Sequence, residues 1–198
     1  DCRLADEIHH SPVENLERLD IALINEAETS LDVAAYILTD RPVIDALILA
    51  KERGVTLRVL LDPSQKSDFA RLAPLEEEIR LKKKGPIMHL KAYVVDGERL
   101  RTGSANLTAS GLKQQDNDRL VISVPSVVAA FRDDFERMWG KGVPIAGRDP
   151  ETLHREPSTG FVRRGPKKKP PMRGTGGESG IREETPEKGH RSKAIRPR

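Results

Sequence analysis

Residues 89–96 of this chain read His-Leu-Lys-Ala-Tyr-Val-Val-Asp, and six residues later residues 103–106 read Gly-Ser-Ala-Asn. The apolar and β-branched residues of the first segment predict a β-strand. Side chains two positions apart on a strand point to the same face, so we expect His89 and Lys91 to project together. This pair places an imidazole, which titrates near neutral pH, beside a cation.

The Asp96-Gly97 dipeptide between the two segments is typical of a two-residue hairpin turn. Such a turn pairs His89 with Ser104 across the hairpin and leaves Asn106 just beyond the end of the strand. A candidate nucleophile, the Lys91 ammonium, a hydroxyl and an amide then converge on one small volume. This set of groups suits a phosphoryl group, whose oxygens require positive charge and hydrogen-bond donors.

The spacing of these residues, H-x-K-x4-D-x6-G-S-x-N, is that of the HKD signature of the phospholipase D superfamily. Six fixed residues at fixed spacings rarely match by chance. The chain resembles the superfamily over about residues 6–140, and it resembles in particular the single-motif, Nuc-type bacterial endonucleases. Ser11-Pro12 before a helix and the strand at residues 55–62 extend the resemblance beyond the motif.

The resemblance implies a phosphodiester hydrolase that needs no metal and no other cofactor. It implies that His89 attacks phosphorus and forms a covalent phosphohistidine. Lys91 and Asn106 would hold the non-bridging oxygens, and Ser104 would be a further donor. These side chains would supply the charge stabilisation that a metal ion supplies in other phosphodiesterases.

Position 117 departs from the Nuc-type pattern. Those enzymes carry a Glu thirteen residues after the motif serine, where it orients the histidine, and this chain has Asn117 there. Asn117 can accept a hydrogen bond from the imidazole but supplies no negative charge. Asp116 or Asp118 could replace the missing carboxylate after a small register shift.

The motif occurs once in this chain, whereas the superfamily reaction uses two histidines, the second to protonate the leaving oxygen. The other histidines have no lysine two residues on; they are His9, His10, His154 and His190. A homodimer whose two-fold axis passes through the site would bring two copies of His89 together. Contacts of this kind are the commonest oligomer geometry.

Alternating helical and strand patterns predict an α/β fold with a mixed β-sheet flanked by helices on both faces. His9 and His10 lie near a further first strand, and Tyr36 and Tyr93 are assigned to the core. The predicted helices cover residues 13–28, 42–53, 69–84 and 126–139, and the predicted strands cover residues 31–38, 55–62, 88–96, 99–104 and 118–124.

Charge separates a phospholipase D-like catalytic domain, residues 1–142, from a tail at residues 143–198. Residues 1–140 contain 19 Lys and Arg against 24 Asp and Glu, whereas residues 141–198 contain 15 against 7. The tail is rich in Pro and Gly, and we expect it to be disordered and to contact nucleic acid or an acidic membrane surface.

The cellular compartment is predicted only broadly. Cys2 is the only cysteine, so no intrachain disulfide can form, and no segment has the length of a membrane span. The numbering begins at Asp1, which either a removed signal peptide or trimming explains. We expect a periplasmic or secreted bacterial protein, with a cytoplasmic location left open.

Three functions fit the motif. The first is a non-specific endonuclease acting on DNA or RNA, which the single motif and the basic tail favour. The second is a phospholipase D that hydrolyses glycerophospholipid headgroups by the same chemistry. The third is an inactive nucleic-acid-binding module, which Asn117 suggests. Two interpretations are open for Lys82, Lys83 and Lys84. They form the solvent-exposed end of a helix, or they guide the substrate backbone.

Overall fold

The computed structural model describes residues 6–148, which form one eight-stranded β-sheet, five α-helices and a 3-10 helix. The strands are β1 (Glu7–Ser11), β2 (Ser30–Ala35), β3 (Thr56–Leu61), β4 (Ile79–Leu81), β5 (Lys91–Val95), β6 (Arg99–Thr102), β7 (Asn117–Ile122) and β8 (Val143–Pro144). The helices are α1 (Leu16–Asn25), α2 (Arg41–Glu52), α3 (Phe69–Leu72), α4 (Ala109–Lys113) and α5 (Pro125–Trp139), and the 3-10 helix is Ala73–Glu78.

The sheet is mixed, with the strand order β1-β7-β6-β5-β2-β3-β4-β8. Strands β2, β3 and β4 are parallel to one another, because α2 and the 69–78 helices connect them as crossovers. All other neighbours are antiparallel. The carboxyl ends of β2, β3 and β4 and the start of β5 therefore meet at one edge of the sheet.

Helices cover both faces of the sheet, as the sequence predicted. Val33 and Val59 face the large core that contains α1 and α2, whereas Ala34 and Leu60 face Phe135 of α5. Strand alternation sends neighbouring residues to opposite faces, so the central strands are apolar on both sides. The prediction of a mixed α/β sheet between helical layers is confirmed.

The predicted helix at residues 69–84 is wrong. Only Phe69–Leu72 is α-helical, a 3-10 helix follows, and Ile79–Leu81 joins the sheet beside β3. Pro74 lacks the N–H that a continuing helix requires, which limits this segment to short helical turns. Ile79 and Leu81 are buried while Arg80 is not fully buried, which is a strand alternation.

Helix α1 also begins later than predicted. The predicted start at residue 13 is replaced by Leu16, because the Asn15 side chain accepts a hydrogen bond from the Arg18 N–H and caps the helix. Ser11-Pro12 forms a cis peptide bond in the turn between β1 and α1.

The predicted hairpin register is wrong by one residue. Val95 pairs with Arg99 rather than with Glu98, so residues 96–98 form a three-residue connection. Asp96 and Gly97 both have positive φ angles, and the Glu98 N–H donates to the Val95 carbonyl. A shift of one residue exchanges the faces of a strand, so Ser104 is not the cross-strand partner of His89.

The domain continues beyond residue 142, where the sequence placed its end. Val143 pairs with Leu81 at the edge of the sheet, and Ile145 is buried in the main core. Residues 143–145 therefore belong to the folded domain, which corrects the predicted start of the tail. The remaining prediction for the tail concerns residues 149–198, which lie outside the described residues.

Candidate active site

The candidate site lies at the edge where β2, β3 and β4 end. His89 is in the loop before β5 rather than on a strand, and Lys91 is the first residue of β5. Residues 103–106 follow the end of β6 at the same edge. Crevices beyond the carboxyl ends of parallel strands are the usual ligand sites of open α/β sheets.

His89 and Lys91 are in direct contact. The Lys91 Nζ lies 2.8 Å from Nδ1 and 3.0 Å from Nε2 of the exposed His89 ring, and it donates to the His89 carbonyl at 2.7 Å. Lys91 is about 5% exposed, and burial lowers the pKa of its ammonium. The donor and acceptor roles in these contacts depend on the tautomer of the ring, and a nitrogen that accepts from the ammonium would keep the lone pair that a nucleophile needs.

The Tyr36 ring packs against both His89 and Lys91. Its ring centroid lies 4.4 Å from that of His89, and the Lys91 Nζ lies 5.1 Å from the Tyr36 ring centroid. The Tyr36 N–H donates to the Leu90 carbonyl at 2.7 Å, which fixes its position directly after β2. Assigning Tyr36 to the core was wrong, because the side chain is half-buried against the site, whereas Tyr93 is fully buried.

The loop after β6 is tied to β7. The Ser104 N–H donates to the Asp118 carboxylate at 2.7 Å, and the Ser104 Oγ accepts from the Asp118 N–H at 2.9 Å. Hydrogen bonding of the Asp118 carboxylate with the Ser104 side chain, and then with the Ser104 N–H, lowers the pKa of Asp118. Gly103 has a φ of +138°, and a Cβ there would lie 2.5 Å from the Asp118 carbonyl oxygen, so only glycine fits.

Asn106 carries an unused polar atom. Its side chain is half-buried, and its Oδ1 is buried without a hydrogen-bond partner in the described structure. Buried polar atoms are nearly always paired, so an orphaned acceptor at a site edge indicates a group that acts on a ligand or water. Phosphate oxygens only accept, so the predicted role of Asn106 in holding a phosphate would fall to its Nδ2 donor, and it stays a prediction.

A buried arginine links the two halves of the motif. Arg101 Nη1 donates to the Lys91 carbonyl at 2.7 Å and to the Ala105 carbonyl at 3.3 Å. The same guanidinium forms a bidentate pair with Asp20 of α1, at 3.0 and 2.8 Å, and both side chains are fully buried. Tyr93 and Arg119 also donate to Asp20. Arg101 therefore fixes β5 relative to the 103–106 loop.

The Asn117 side chain forms its hydrogen bonds with residues other than His89. Its Nδ2 donates to the Gly111 carbonyl at 2.9 Å and to Gln115 Oε1 at 3.2 Å. No hydrogen bond between Asn117 and His89 occurs within residues 6–148. Of the two possible substitutes, Asp118 is engaged with Ser104 and Asp116 is exposed. A catalytic role for Asn117 stays a prediction.

The motif aspartate is structural. The Asp96 carboxylate accepts hydrogen bonds from the N–H groups of Glu28, Thr29 and Ser30, at 2.8–3.3 Å. Partial burial alone would raise the pKa of Asp96, but these donors outweigh it and lower the pKa. Asp96 thus anchors the hairpin turn to the start of β2, at the end of the sheet opposite to His89.

The described residues contain no group of three or more His, Cys, Asp or Glu side chains that could hold a metal ion. The same part of the chain contains no helix long and apolar enough to cross a membrane.

Sequence reasoning missed three residues that shape the site, namely Tyr36, Arg101 and Asp20. Tyr36 directly follows a buried strand, which was a usable signal because such positions lie at the ligand edge of the sheet. Arg101 and Asp20 are 81 positions apart in sequence, and no local pattern indicates that they pair.

Comparison with known proteins identifies the class of protein that this fold and site define. Residues 21–139 match the family model described as "Cardiolipin synthase, PLD-like domain". The chain therefore belongs to this family of the phospholipase D superfamily, as the motif indicated.

Relatives and solved structures agree with this assignment. The chain is 26% identical over 137 residues to a mitochondrial cardiolipin hydrolase of Chlamydomonas reinhardtii, covering 67% of this chain and 60% of the relative. It is 35% identical over 116 residues to a phospholipase D of Rickettsia conorii, covering 57% and 58%. The chain thus spans about 60% of the length of these relatives.

Among solved structures, the chain resembles Nuc from Salmonella typhimurium, a phospholipase D family member. The TM-score is 0.65 at 25% identity, and the match covers 71% of this chain and 97% of Nuc. NucT from Helicobacter pylori shares the fold, with a TM-score of 0.63 at 18% identity, over 71% of this chain and 98% of NucT.

Proposed function

We propose that this chain hydrolyses phosphodiester bonds in nucleic acid through a covalent phosphohistidine at His89. The observation that carries the proposal is the contact of the Lys91 ammonium with the His89 ring, which places a nucleophile and a cation within 3.0 Å. Preorganised charge next to the attacking atom stabilises the transition state of phosphoryl transfer.

The first step forms a bond between a His89 ring nitrogen and phosphorus and breaks the bond from phosphorus to the leaving oxygen. Lys91 and the Asn106 amide hold the non-bridging oxygens, and Ser104 is a further donor. A second imidazolium gives its proton to the leaving oxygen. In the second step water attacks phosphorus, the nitrogen–phosphorus bond breaks, and the second imidazole takes the proton from water.

The second imidazole comes, in this proposal, from a second copy of the chain. A homodimer with its two-fold axis through the site places two His89 rings on opposite sides of one phosphorus atom. The exposed position of His89 at the sheet edge supports this arrangement, because the ring is open to a partner.

Nucleic acid is the proposed substrate because of the resemblance to the Nuc-type endonucleases, since this domain matches nearly the whole length of Nuc. Phosphate contacts of such an enzyme are independent of base sequence and weaken with salt.

The test is cleavage of fluorescent single- and double-stranded oligonucleotides in EDTA by the wild type and by His89→Asn. We expect cleavage by the wild type, a loss of at least about 10³-fold in the variant, and an acid-quenched phosphoprotein in the wild type alone. Oligonucleotide binding with neither cleavage nor phosphoprotein would favour the inactive binding module.

Phospholipid hydrolysis is the second candidate, because the curated relatives are named phospholipase D and mitochondrial cardiolipin hydrolase. The chemistry at phosphorus is the same for both substrates. Headgroup release from phosphatidylcholine or cardiolipin vesicles, faster than oligonucleotide cleavage at equal phosphodiester concentration, would reverse the order of the two candidates.

A further inference from the structure

Two loops lie side by side on one flank of His89. They are residues 62–68, which follow β3, and residues 82–88, which follow β4. The Lys82 N–H donates to the Leu61 carbonyl at 2.9 Å, and the Met88 N–H donates to the Asp62 carboxylate at 2.7 Å. Met88 directly precedes His89, so these contacts hold both loops next to the candidate nucleophile.

Every exposed charged side chain of these two loops is a lysine. Lys66 and Lys83 are exposed, as is Lys84. Neither carboxylate of these loops is exposed beside the lysines, because Asp62 is buried against Ser64 and Met88, and Asp68 is half-buried and caps α3.

The side chain of Lys82 stabilises the conformation of the loop that carries Lys83. Lys82 Nζ donates to the Pro86 carbonyl at 2.5 Å and to the Lys83 carbonyl at 3.4 Å. The Lys82 ammonium therefore bridges two carbonyl groups of its own loop and stabilises the conformation of that loop. Lys83 projects from a loop with a defined shape, which lowers the entropy cost of binding.

The opposite flank of the site carries negative charge. Glu14 and Asp116 are exposed near the ends of β1 and β7, and Asp118 is half-buried. Hydrogen bonds from His9 and from the His10 N–H lower the pKa of Glu14, so it is ionised at neutral pH. A polyanion is therefore attracted to the flank formed by the two loops and repelled from the other.

We propose that Lys66 and Lys83, here termed the basic rim, bind the phosphodiester backbone of a nucleic-acid strand whose scissile phosphate lies at His89. The inference rests on the proposed function and assigns, for each subunit, the flank along which the strand continues. A polymer fits better than a membrane, because Ile87 (63% exposed) is the only exposed large apolar side chain of these loops. Attachment to a bilayer requires a broader apolar face.

The test compares a rim variant, Lys66→Gln/Lys83→Gln, with a control that loses the same charge elsewhere. Arg53→Gln/Arg132→Gln is a suitable control, because both arginines are exposed and Arg53 directly precedes the residues that lead into β3, at the end of the sheet opposite to His89. Arg132 lies beside Gly97, at the end of the sheet opposite to His89.

Catalysis is measured on two substrates with the full chain. For bis(p-nitrophenyl) phosphate, which has no flanking phosphate for the rim to bind, we expect rim variant, control and wild type to agree within about twofold. For a 12-nucleotide single strand, we expect the KM of the rim variant to rise about tenfold, and that of the control to stay unchanged, since each lost phosphate contact weakens binding.

Binding is measured in the non-cleaving His89→Asn background at several salt concentrations. Loss of two phosphate contacts lowers the slope of log Kd against log salt concentration by about 1.4, at about 0.7 for each contact with a single strand. A slope and a KM equal to those of the control would overturn the inference. So would a rim variant that loses binding to anionic phosphatidylglycerol vesicles while keeping its affinity for the oligonucleotide.

These outcomes are distinct from failure of the proposed function. If the wild type cleaves neither substrate, the phosphodiesterase proposal fails, and the salt slope still decides whether the basic rim contacts nucleic acid.

Discussion

Lys91 must be charged to hold a phosphate, yet it lies where charge is disfavoured. Burial lowers the pKa of its ammonium below the usual value for lysine. The protonated form of Lys91 is therefore lost at a lower pH than that of an exposed lysine. The phosphate-binding capacity of the site should fall accordingly on the alkaline side.

We predict that hydrolysis by the wild type declines at alkaline pH and that Lys91→Arg moves this decline to higher pH. A guanidinium stays protonated throughout the range, although its different shape lowers the maximal rate. The measurement is a pH–rate profile with bis(p-nitrophenyl) phosphate. If the rate declines at the same alkaline pH in both proteins, the group that titrates is not Lys91.

Tyr36 offers a second test at the scale of one residue. Tyr36→Phe keeps the ring against His89 and should retain kcat within about threefold, whereas Tyr36→Leu should lower kcat about tenfold with little change in KM. The reason is that small errors in the position of a nucleophile are costly to rate. A loss in Tyr36→Phe as large as in Tyr36→Leu would show instead that the hydroxyl is required.

At the scale of elements, the start of α2 contains a buried carboxyl close to the site. Asp40 is about 1% exposed, its side chain caps α2 at the Val43 N–H, and its Oδ2 has no hydrogen-bond partner in the described structure. Burial, together with the neighbouring Glu17, raises the pKa of Asp40 to about 6. The Asp40 N–H also donates to the Leu107 carbonyl, next to Asn106.

We predict that Asp40→Asn stabilises the protein at pH 8 by up to about 3 kcal/mol but not near pH 4. A carboxyl whose folded pKa is raised contributes its full stability below its unfolded pKa, near 4, and loses it as pH rises through about 6. Asparagine keeps the cap and avoids the buried charge. Urea unfolding at pH 4 and pH 8 measures the difference.

The control is Asp40→Ala, which also removes the cap and should be less stable than Asp40→Asn by about 1 kcal/mol at both pH values. Equal effects of Asp40→Asn at pH 4 and pH 8 would contradict the raised pKa.

The link between β5 and the 103–106 loop gives a prediction about Arg101. Arg101→Lys keeps a positive charge beside Asp20, but the three N–H donors of an ammonium cannot replace the four hydrogen bonds that the Arg101 guanidinium makes. We expect kcat to fall about tenfold with KM nearly unchanged, because the positions of Lys91 and Asn106 shift relative to each other.

The measurement pairs steady-state kinetics with thermal unfolding. Assays well below the Tm of the variant separate displacement of the loop from loss of folded protein. A kcat equal to that of the wild type in a folded Arg101→Lys protein would show that the link does not position the site.

At the scale of the whole molecule, the main prediction is a homodimer in which two subunits share one active site. A heterodimer of one wild-type and one His89→Asn subunit, isolated with two affinity tags, should be at least about 10³-fold less active than the wild type, because one shared site needs both imidazoles. Light scattering should give the mass of a dimer. A heterodimer with about half the activity, or an active monomer, would contradict the shared site.

The location in the periplasm or outside the cell, and the role of residues 149–198, remain predictions. They would be tested by fractionation of the native host and by comparing oligonucleotide binding of the full chain with that of residues 1–148.

The sequence by itself determined the family, the mixed sheet between helices, and the identity of His89, Lys91, Ser104 and Asn106 as site candidates. These conclusions rest on local patterns, namely residue spacing and the alternation of apolar side chains, which act over a few neighbouring positions. Helix α2 and strands β2, β3 and β7 were predicted for the same reason.

The tertiary structure alone decided how the site is held. The hairpin register depended on backbone angles at Asp96 and Gly97, and a one-residue shift exchanged the faces of the strand. The pairing of Asp20 with Arg101 and the packing of Tyr36 on His89 join residues that are far apart in the chain. Such contacts form only when folding brings distant segments of the chain together, so no local sequence pattern contains them.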